Sequence, residues 1–207
     1  MNSFEKNKKE FITFLYSTER EGMSNVIEQL DDLGFFQAPA SSKFHLNHDG
    51  GLLEHSLNVC KVGLMLREQM VDMKPELDEL IPKDSVIIAS LLHDVCKADI
   101  YEKCIKRKKD RLGEWVDYET YDLDYSNFPA GHGEKSVIIL LRMGLELSDD
   151  EILAIRWHMS AWDLPFQSPD LKANYNKAKD ICPLCSLIQA ADGLASNLLE
   201  EKDEELD

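Results

Sequence analysis

The segment SVIIASLLHDVCK (residues 85–97) places a histidine and an aspartate side by side at the end of an apolar run. The run is long enough for a helix that is buried on most sides. An ionised carboxylate in such a core costs several kcal/mol or more unless a partner compensates for it. Asp94 therefore needs either His93 and nearby backbone groups or a bound cation, and the rest of the chain bears on that choice.

Three other histidines and a second aspartate also occupy positions that face apolar neighbours. His55 and His158 lie on apolar stripes of predicted helices, His132 lies between two glycines at a helix start, and Asp192 interrupts an apolar face. Taken singly, a histidine on such a face is more often a hydrogen-bonded core residue. Together, the four imidazoles and two carboxylates from five helices form a ligand set for one or two divalent metals. Metal is thus the most economical compensation for Asp94.

The order of these residues resembles the HD-domain superfamily of metal-dependent phosphohydrolases. Its central pattern corresponds here to EHS (54–56), LLHDVCK (91–97) and AADG (190–193). The stretch GGLLEHSL (50–57) is similar to a common subset of the family, and two more stretches resemble the extra histidine motifs of its binuclear members: GHGEKS (131–136) and IRWHMS (155–160). The resemblance covers about residues 35–199 and implies a mainly α fold, an HD-domain helical bundle.

The resemblance also implies a role for each candidate ligand. The implied ligands of a first metal are His55, His93, Asp94 and Asp192, and those of a second are His132, His158 and the bridging Asp94. Two departures bear on the second metal: Cys96 stands where many members have glycine, and Met159 follows His158 where some binuclear members have another histidine. The second ion is therefore expected to be weaker, more water-rich or absent. Mixed His/Asp sites accept Mn, Fe, Co, Ni and Zn, so the identity of the metal stays open.

Three cations near these motifs are candidate substrate contacts. Each lies within four residues of a histidine of the ligand pattern, and they are Lys97, Lys135 and Arg156. Each could offer positive charge to a phosphoryl group, Arg156 in a bidentate way. Lys97 could equally be a solvated helix end. We predict Lys97, Lys135 and Arg156 as substrate-binding residues, and Asp94, Lys97 and Arg156 as catalytic residues.

The activity implied by the resemblance is phosphoester hydrolysis. One or two metal ions would activate water for attack on phosphorus, while the ions and nearby cations neutralise developing charge. The expected substrate is a small phosphorylated molecule, with a nucleotide as one candidate. The same ligand order resembles the diiron oxygenases of the superfamily, which would act on a small organic acid. A metal-dependent ribonuclease or a non-catalytic metal-binding module would also be compatible with this ligand set.

These ligands have to be positioned by the predicted secondary structure. Apolar periodicity and helix caps predict helices at residues 4–16, 22–33, 52–70, 84–97, 131–144, 148–159 and 183–199. Alternation at residues 101–125 predicts one inserted β-hairpin with its turn at 112–115. Loops are predicted at residues 35–51 and 162–170. We expect one domain at residues 1–199, with N-terminal helices at 1–34 and a motif-bearing core at 35–199, followed by an acidic tail at 200–207.

Composition sets the wider expectations. The chain has 207 residues and a formal net charge of −16, which disfavours binding to nucleic-acid phosphates. No apolar run approaches the roughly 20 residues that span a membrane. The N-terminal residues lack the apolar segment of a secretory signal, and five cysteines, an odd number, indicate reduced thiols. We therefore expect a cytoplasmic protein that does not bind membranes, and the sequence does not indicate its oligomeric state.

Three smaller features have more than one interpretation. The basic run KCIKRKKDR (103–111) is either a solvated turn or a mobile rim that attracts phosphate. His45 and His48 lie in the predicted loop before the first ligand helix and are assigned to the rim of the site. Cys182 and Cys185 form a single CxxC motif without two further metal ligands nearby in sequence. Ordinary thiols near a helix start are therefore favoured over a zinc site or a redox pair.

Overall fold

In the computed structural model, which describes residues 2–164 and 168–200, the chain is mainly helical with one β-hairpin. The helices are α1 (Ser3–Ser17), α2 (Met23–Asp32), α3 (Gly51–Met73), α4 (Leu77–Leu80), α5 (Lys83–Leu92), α6 (His132–Arg142), α7 (Asp149–Trp157), α8 (Pro169–Ile181) and α9 (Pro183–Leu194). The strands β1 (Tyr101–Lys109) and β2 (Trp115–Leu123) pair in antiparallel orientation. The predicted fold class is confirmed.

The central helix of the fold is α3. Its sequence has two apolar stripes, which predict that it is covered on two sides: Leu53, Leu57, Cys60 and Leu64 form one, and His55, Val59, Val62 and Leu66 the other. In the structure α3 packs against both α5 and α9. Nearly all of α5 is apolar, and its residues from Ser85 to Leu92 are all buried. Helix α7 contacts α5 and α9, and α6 packs on α7. The five helices that carry the candidate ligands therefore meet in one part of the core.

The predicted end of the apolar helix at residue 97 is wrong. Helix α5 ends at Leu92, because Asp94 has φ −106° and ψ 17°, outside the helical region. The chain then forms a short 3₁₀ helix, Val95–Asp99. This change of direction directly after His93 matters for the site, since it determines where the neighbouring carboxylate points.

Helix α8 differs from the sequence-based prediction, which places a loop at residues 162–170 and no helix between that loop and the helix at 183–199. The helix begins at Pro169, a position where proline's missing N–H and fixed φ are tolerated. Of its 13 residues only Tyr175 and Ala178 are buried, so it lacks the apolar stripe by which a helix is recognised in a sequence. The middle of the predicted loop, residues 165–167, lies outside the described residues.

The hairpin also differs in detail. Its register pairs Tyr101 with Leu123 and Lys109 with Trp115, so the turn is at residues 110–114 instead of 112–115. The side chain of Asp110 accepts hydrogen bonds from two backbone N–H groups of that turn, at 2.8 and 2.9 Å. An aspartate side chain that accepts hydrogen bonds from the backbone of the following residues stabilises a turn that begins at the aspartate. The turn therefore begins at Asp110, before the shorter turn expected around Gly113.

The basic run belongs to strand β1 and not to a turn. Three of its cations form ion pairs with acidic side chains of β2, and the pairs are Lys103 with Glu119, Lys106 with Asp122, and Arg107 with Asp117. Cross-strand charge pairs of this kind stabilise a sheet modestly and compensate three of the six cations of the run. Among the described helices, none combines the length and the apolar character that crossing a membrane requires.

Candidate metal centre

His93 and His158 occupy equivalent positions at the ends of two helices. His93 directly follows α5, His158 directly follows α7, and both keep helical backbone angles. Nδ1 of His93 donates to the carbonyl of Ser90 at 2.8 Å, and Nδ1 of His158 donates to the carbonyl of Ile155 at 2.7 Å. Carbonyls at a helix end lack intrahelical partners. The ends of α5 and α7 therefore orient both rings, and both Nε2 atoms are left facing the site.

His55 lies one turn inside α3, close to where the preceding loop folds back. Gly51, the first residue of α3, packs so tightly on this loop that a Cβ would lie 2.0 Å from the carbonyl oxygen of Leu46. Only glycine permits this approach without a backbone shift. The loop consequently covers the start of α3, and His55 is only 1% exposed.

His132 is the first residue of α6, and this end of α6 approaches α7 closely. A Cβ on Gly133 would lie 2.1 Å from the carbonyl oxygen of Arg156. The glycine thus allows the two backbones to touch, and it brings the ring of His132 within 5.2 Å of the ring of His158, measured between centroids. The GHG sequence at the start of α6 is therefore explained in two ways: Gly133 permits close packing on α7, and His132 is a candidate metal ligand.

Asp94 lies at the centre of the cluster. Because the chain leaves the α-helix here, its carboxylate faces the same site as its neighbour instead of pointing away from it. The Nε2 atoms of His93 and His55 lie 3.2 and 3.4 Å from Oδ2. The Nε2 atoms of His132 and His158 lie 2.6 and 3.2 Å from Oδ1. The two carboxylate oxygens therefore divide the four histidines into two pairs.

Asp192 lies on α9 beside the same cluster, with Oδ1 3.5 Å from Nε2 of His55. It forms a group with His93 and His158 whose possible ligand atoms all lie within 4.8 Å of one another. Two more groups meet the same criterion: His55 with His93 and Asp94, and Asp94 with His132 and His158. All six residues predicted as metal ligands thus lie together, and His158 faces Asp192 as well as Asp94.

The hydrogen bonds of the rings favour a cation in this cluster. His55 and His93 each direct Nδ1 at an oxygen that can only accept, so in the neutral rings Nδ1 carries the hydrogen and Nε2 carries a lone pair. Those two Nε2 atoms lie 3.3 Å apart, and both face Oδ2 of Asp94. Nε2 of His158 is buried and has no aligned hydrogen-bond donor among the described residues. Hydrogen-bond acceptors that converge in this way need a positive charge between them. Imidazole nitrogens and carboxylate oxygens are also ligands that suit divalent transition metals.

The pKa shifts of the metal-free site agree with the need for positive charge in the cluster. Burial lowers the pKa of His55, but hydrogen bonds with Asp94 and Glu200 outweigh burial and raise that pKa to about 9. Burial lowers the pKa of His93. Burial also opposes ionisation of Asp94, but the charges of Lys97 and His93 hold its pKa well below the usual value. The carboxylate stays ionised, and a proton on His55 supplies positive charge when no metal is bound.

Comparison with known proteins agrees with this geometry. The family model described as the HD domain matches residues 52–197, which include all six clustered residues. The chain belongs to the HD domain family. A 90-residue segment is 34% identical to the dihydroneopterin 2′,3′-cyclic phosphate phosphodiesterase of Methanocaldococcus jannaschii, and it makes up 43% of this chain and 32% of that relative. The match thus spans about a third of the relative's length. No solved structure matches the chain significantly.

The six clustered residues are called the HD centre below: His55, His93, Asp94, His132, His158 and Asp192. Of the three predicted substrate cations, Lys97 is the one that contacts this centre. Its Nζ lies 2.7 Å from Oδ2 of Asp94. Burial lowers the pKa of Lys97, but the charge and hydrogen bond of Asp94, together with other nearby groups, outweigh burial and raise the pKa above its ordinary value. Lys97 is therefore a permanently charged group at the edge of the cluster and not a solvated helix end.

The other two predicted cations face different carboxylates. Lys135 is 2% exposed, and its Nζ lies 2.5 Å from Asp99. Arg156 forms an ion pair with Glu134 and lies 3.9 Å above the ring of Trp157. The geometry gives both residues a role in the packing around the HD centre. Their roles toward substrate stay predictions.

The HD centre is open on one side. The side chains of His132 and Asp192 are 21% and 20% exposed, and that of Lys97 is 12% exposed. The other three histidines and Asp94 are almost completely buried. Within the cluster, solvent therefore reaches His132, Asp192 and Lys97, while the other ligand candidates are enclosed by the core.

Glu200 was not predicted as a site residue, because in the sequence it stands at the start of the acidic tail. The structure buries this residue and directs its carboxylate at His45 and His55. His45, assigned to the rim, is thus linked to the cluster through Glu200, whereas His48 is exposed and its Nδ1 lies 3.0 Å from the carbonyl oxygen of Asp49. A glutamate that begins an acidic run carries no signal of burial. The rest of that run, residues 201–207, lies outside the described part of the chain.

The cysteines do not add a ligand to the HD centre. Cys96 lies with Sγ 3.3 Å from Nδ1 of His132, and burial raises its pKa to about 12, so it is a neutral thiol beside that ring. Cys182 and Cys185 are buried at the start of α9. None of the metal-compatible groups in the described residues contains a cysteine.

Proposed function

We propose that the chain is a metal-dependent phosphohydrolase that cleaves a phosphodiester of a small molecule. The observation that carries the proposal is the carboxylate of Asp94, whose two oxygens each face a pair of histidines. A carboxylate shared in this way suits two bridged divalent ions, and a single ion can use either half. Support comes from membership of the HD family and from the phosphodiesterase name of the partial relative.

The proposed ligand sets are those that the family resemblance implies, and the distances within the cluster support them. A first ion, of Mn, Fe, Co, Ni or Zn, would be held by His55, His93, Oδ2 of Asp94 and Asp192, and a second by Oδ1 of Asp94, His132 and His158. A divalent cation there supplies a water of lowered pKa and a Lewis acid for the phosphoryl oxygen. The protein contributes the fixed ring orientations, set by the carbonyls of Ser90 and Ile155. Its buried walls exclude bulk water and so strengthen every charge interaction in the site.

Lys97 provides the fixed positive charge on the substrate side. It lies at the open edge of the centre, and its flexible stem allows the ammonium to turn from Asp94 toward a phosphate oxygen. A charge-assisted hydrogen bond from Lys97 would stabilise the negative charge that develops on phosphorus oxygens in the transition state. The exposed edges of His132 and Asp192 flank the same entrance, so the phosphate is expected to approach between these groups.

We further propose a cyclic phosphodiester as the substrate class, with a nucleoside 2′,3′-cyclic phosphate as one candidate. Support comes from the relative, which is named for a 2′,3′-cyclic phosphate. The limited exposure of the cluster, through the side chains of His132, Asp192 and Lys97, favours a small substrate. A polymeric RNA substrate is disfavoured, because the net charge of −16 repels a polyanion.

The test combines metal analysis with a substrate panel. Protein purified without added metal would be analysed for Mn, Fe, Co, Ni and Zn, and its visible spectrum would be recorded. Activity would be measured on nucleoside 2′,3′-cyclic phosphates, dihydroneopterin 2′,3′-cyclic phosphate, bis(p-nitrophenyl) phosphate and p-nitrophenyl phosphate. We expect hydrolysis of a cyclic phosphodiester that a chelator abolishes and added metal restores, and that Asp94→Ala lacks.

Two outcomes would overturn the proposal. Full activity of Asp94→Ala would remove the cluster from the reaction. Two irons per chain with an oxygen-sensitive absorption band, and no phosphoesterase activity with any of the five metals, would instead indicate a diiron oxygenase. Cleavage of the monoester but of no diester would leave a phosphohydrolase and reject the diester as its substrate.

A further inference from the structure

Glu200 is a buried carboxylate held by three polar side chains. It follows α9 and the π-helical turn Ala195–Leu199, and its carboxylate accepts hydrogen bonds from Nδ1 of His55 at 3.0 Å and from Nδ2 of Asn58 at 3.2 Å. His45 contacts the second carboxylate oxygen. Burying an ionised carboxylate is costly unless donors saturate it, and these three donors do so from two other parts of the chain.

The contact with His55 determines which ring nitrogen is available to a metal. A carboxylate can only accept, so Nδ1 of His55 must carry a hydrogen. In the neutral ring, Nε2 then carries the lone pair, and this is the atom that lies 3.4 Å from Asp94 and 3.5 Å from Asp192. We propose that Glu200 is the positioning residue that fixes the tautomer and orientation of His55 as a metal ligand. The inference rests on the proposed metal centre.

This arrangement differs from that of the other two buried histidines. His93 and His158 are oriented by backbone carbonyls of their own helices. His55 lies inside α3, where the carbonyl groups are engaged in the helix, and its orientation therefore depends on a side chain 145 residues away. A carboxylate partner also raises the basicity of a ligand histidine more than a carbonyl does. Glu200 thus couples the C-terminal end of the described chain to the first ligand.

A separate metal site made of His45, His55 and Glu200 is the competing interpretation, since their ligand atoms also lie within 4.8 Å of one another. The contacts favour hydrogen bonds. Both oxygens of Glu200 already lie within 3.2 Å of nitrogen donors, and Asn58, whose amide nitrogen can only donate, is one of them. A metal bound to Nδ1 of His55 would also displace the hydrogen from that atom. In the neutral ring Nε2 would then carry the hydrogen and could not bind a metal in the main cluster.

The experiment compares Glu200→Ala with Glu200→Gln in the full chain. Glutamine keeps an oxygen that accepts from Nδ1 of His55, whereas alanine removes it. Asn58→Ala is the matched control, because it removes another contact of Glu200 and keeps the carboxylate. Affinity for Co²⁺ would be measured by competition with a chelator, and the exchange of the histidine N–H protons would be followed in the paramagnetically shifted NMR spectrum of the Co²⁺ protein.

We expect Glu200→Ala to weaken Co²⁺ binding at the tightest site by about 10–100-fold, and Glu200→Gln and Asn58→Ala by less than about fivefold. In Glu200→Ala one histidine N–H signal, that of His55, should exchange faster, while those of His93 and His158 keep their carbonyl partners and do not change. If the alanine variant does not fold, the same signal in Glu200→Gln, shifted but still protected, supports the proposal.

Three results would overturn it. Wild-type affinity and protected N–H signals in Glu200→Ala would show that His55 needs no partner. Equal losses in the alanine and glutamine variants would show that charge, and not the accepting oxygen, matters. A metal bound to wild type and lost only with His45→Ala would indicate the separate site. Failure of wild type to bind any metal would instead reject the proposed function itself, so the two failures are distinguishable.

Discussion

Nζ of Lys97 lies 2.7 Å from Oδ2 of Asp94, so a partly exposed cation and the central carboxylate form an ion pair at the edge of the candidate metal centre. In the proposed site, Lys97 would therefore have two opposing effects. It would compete with a metal for Oδ2, and it would offer the substrate phosphate a positive charge. A substitution that removes the charge and keeps the stem should separate these effects.

For Lys97→Met we expect metal affinity that is unchanged or higher, and a kcat/KM reduced by roughly 10–100-fold, the equivalent of one lost charge-assisted hydrogen bond. Chelator competition and steady-state kinetics on the same preparations would measure both quantities. Lys135→Met is the comparison, because its ion pair with Asp99 predicts a loss of stability of about 3 kcal/mol, and the kcat/KM of the folded variant tests the predicted substrate role of Lys135 separately. Wild-type kcat/KM in Lys97→Met would contradict the role given to Lys97.

Asp94→Asn should reduce metal content to at most one ion per chain and lower activity by roughly 100-fold or more. Asparagine keeps one carbonyl oxygen, but its amide nitrogen is a donor and cannot replace the other carboxylate oxygen as a ligand. Elemental analysis of wild type, Asp94→Asn and Asp94→Ala would give the stoichiometries, and the alanine variant should lose both ions. Full metal content in Asp94→Asn would show that Asp94 does not bridge.

Gly133→Ala should push α6 away from α7, because the added Cβ would meet the carbonyl oxygen of Arg156 at 2.1 Å. We expect a loss of about 1–3 kcal/mol of stability and weaker binding of the ion held by His132 and His158. Gly193→Ala is the matched control: it adjoins the ligand Asp192, and nothing lies within 4 Å of its added Cβ. The control should be neutral or stabilise α9 by about 0.5–1 kcal/mol.

Denaturant unfolding and two-step metal titration of both glycine variants would check this prediction. Equal effects of the two substitutions would mean that the close contact between α6 and α7 does not position His132.

The stability of the metal-free protein should fall as pH rises from about 6.5 to about 9. The folded-state pKa of His55 is about 9, above the ordinary value of 6.5, so protonated His55 contributes its full stabilisation below 6.5 and loses it through pH 9. The difference corresponds to roughly 3 kcal/mol as an upper bound. Metal affinity should rise over the same range, because the metal displaces this proton.

Urea unfolding at pH 6.5, 8 and 9.5 in the presence of a chelator would measure the fall. His55→Gln removes the titrating group and should flatten the dependence. A metal-free protein that gains stability between pH 6.5 and 9 would contradict the protonation of His55.

Residue types along the chain were sufficient to predict which side chains form the cluster. His55, His93, Asp94, His132, His158 and Asp192 each occupy an apolar context in which an unpartnered polar group is unfavourable, and that local conflict is visible without coordinates. The mainly α class and the hairpin followed from periodicity for the same reason, because a helix or strand with an apolar face shows its period in the sequence.

What the tertiary structure alone decided is how those residues are oriented and which others support them. Asp94 can serve both histidine pairs only because α5 ends at Leu92, a boundary set by backbone angles and not by composition. From the sequence, Glu200 is assigned to an acidic tail. Only the fold shows that it lies beside His55, which is 145 residues earlier in the chain. Such contacts depend on long-range packing, and packing between distant segments leaves no periodic trace in either segment.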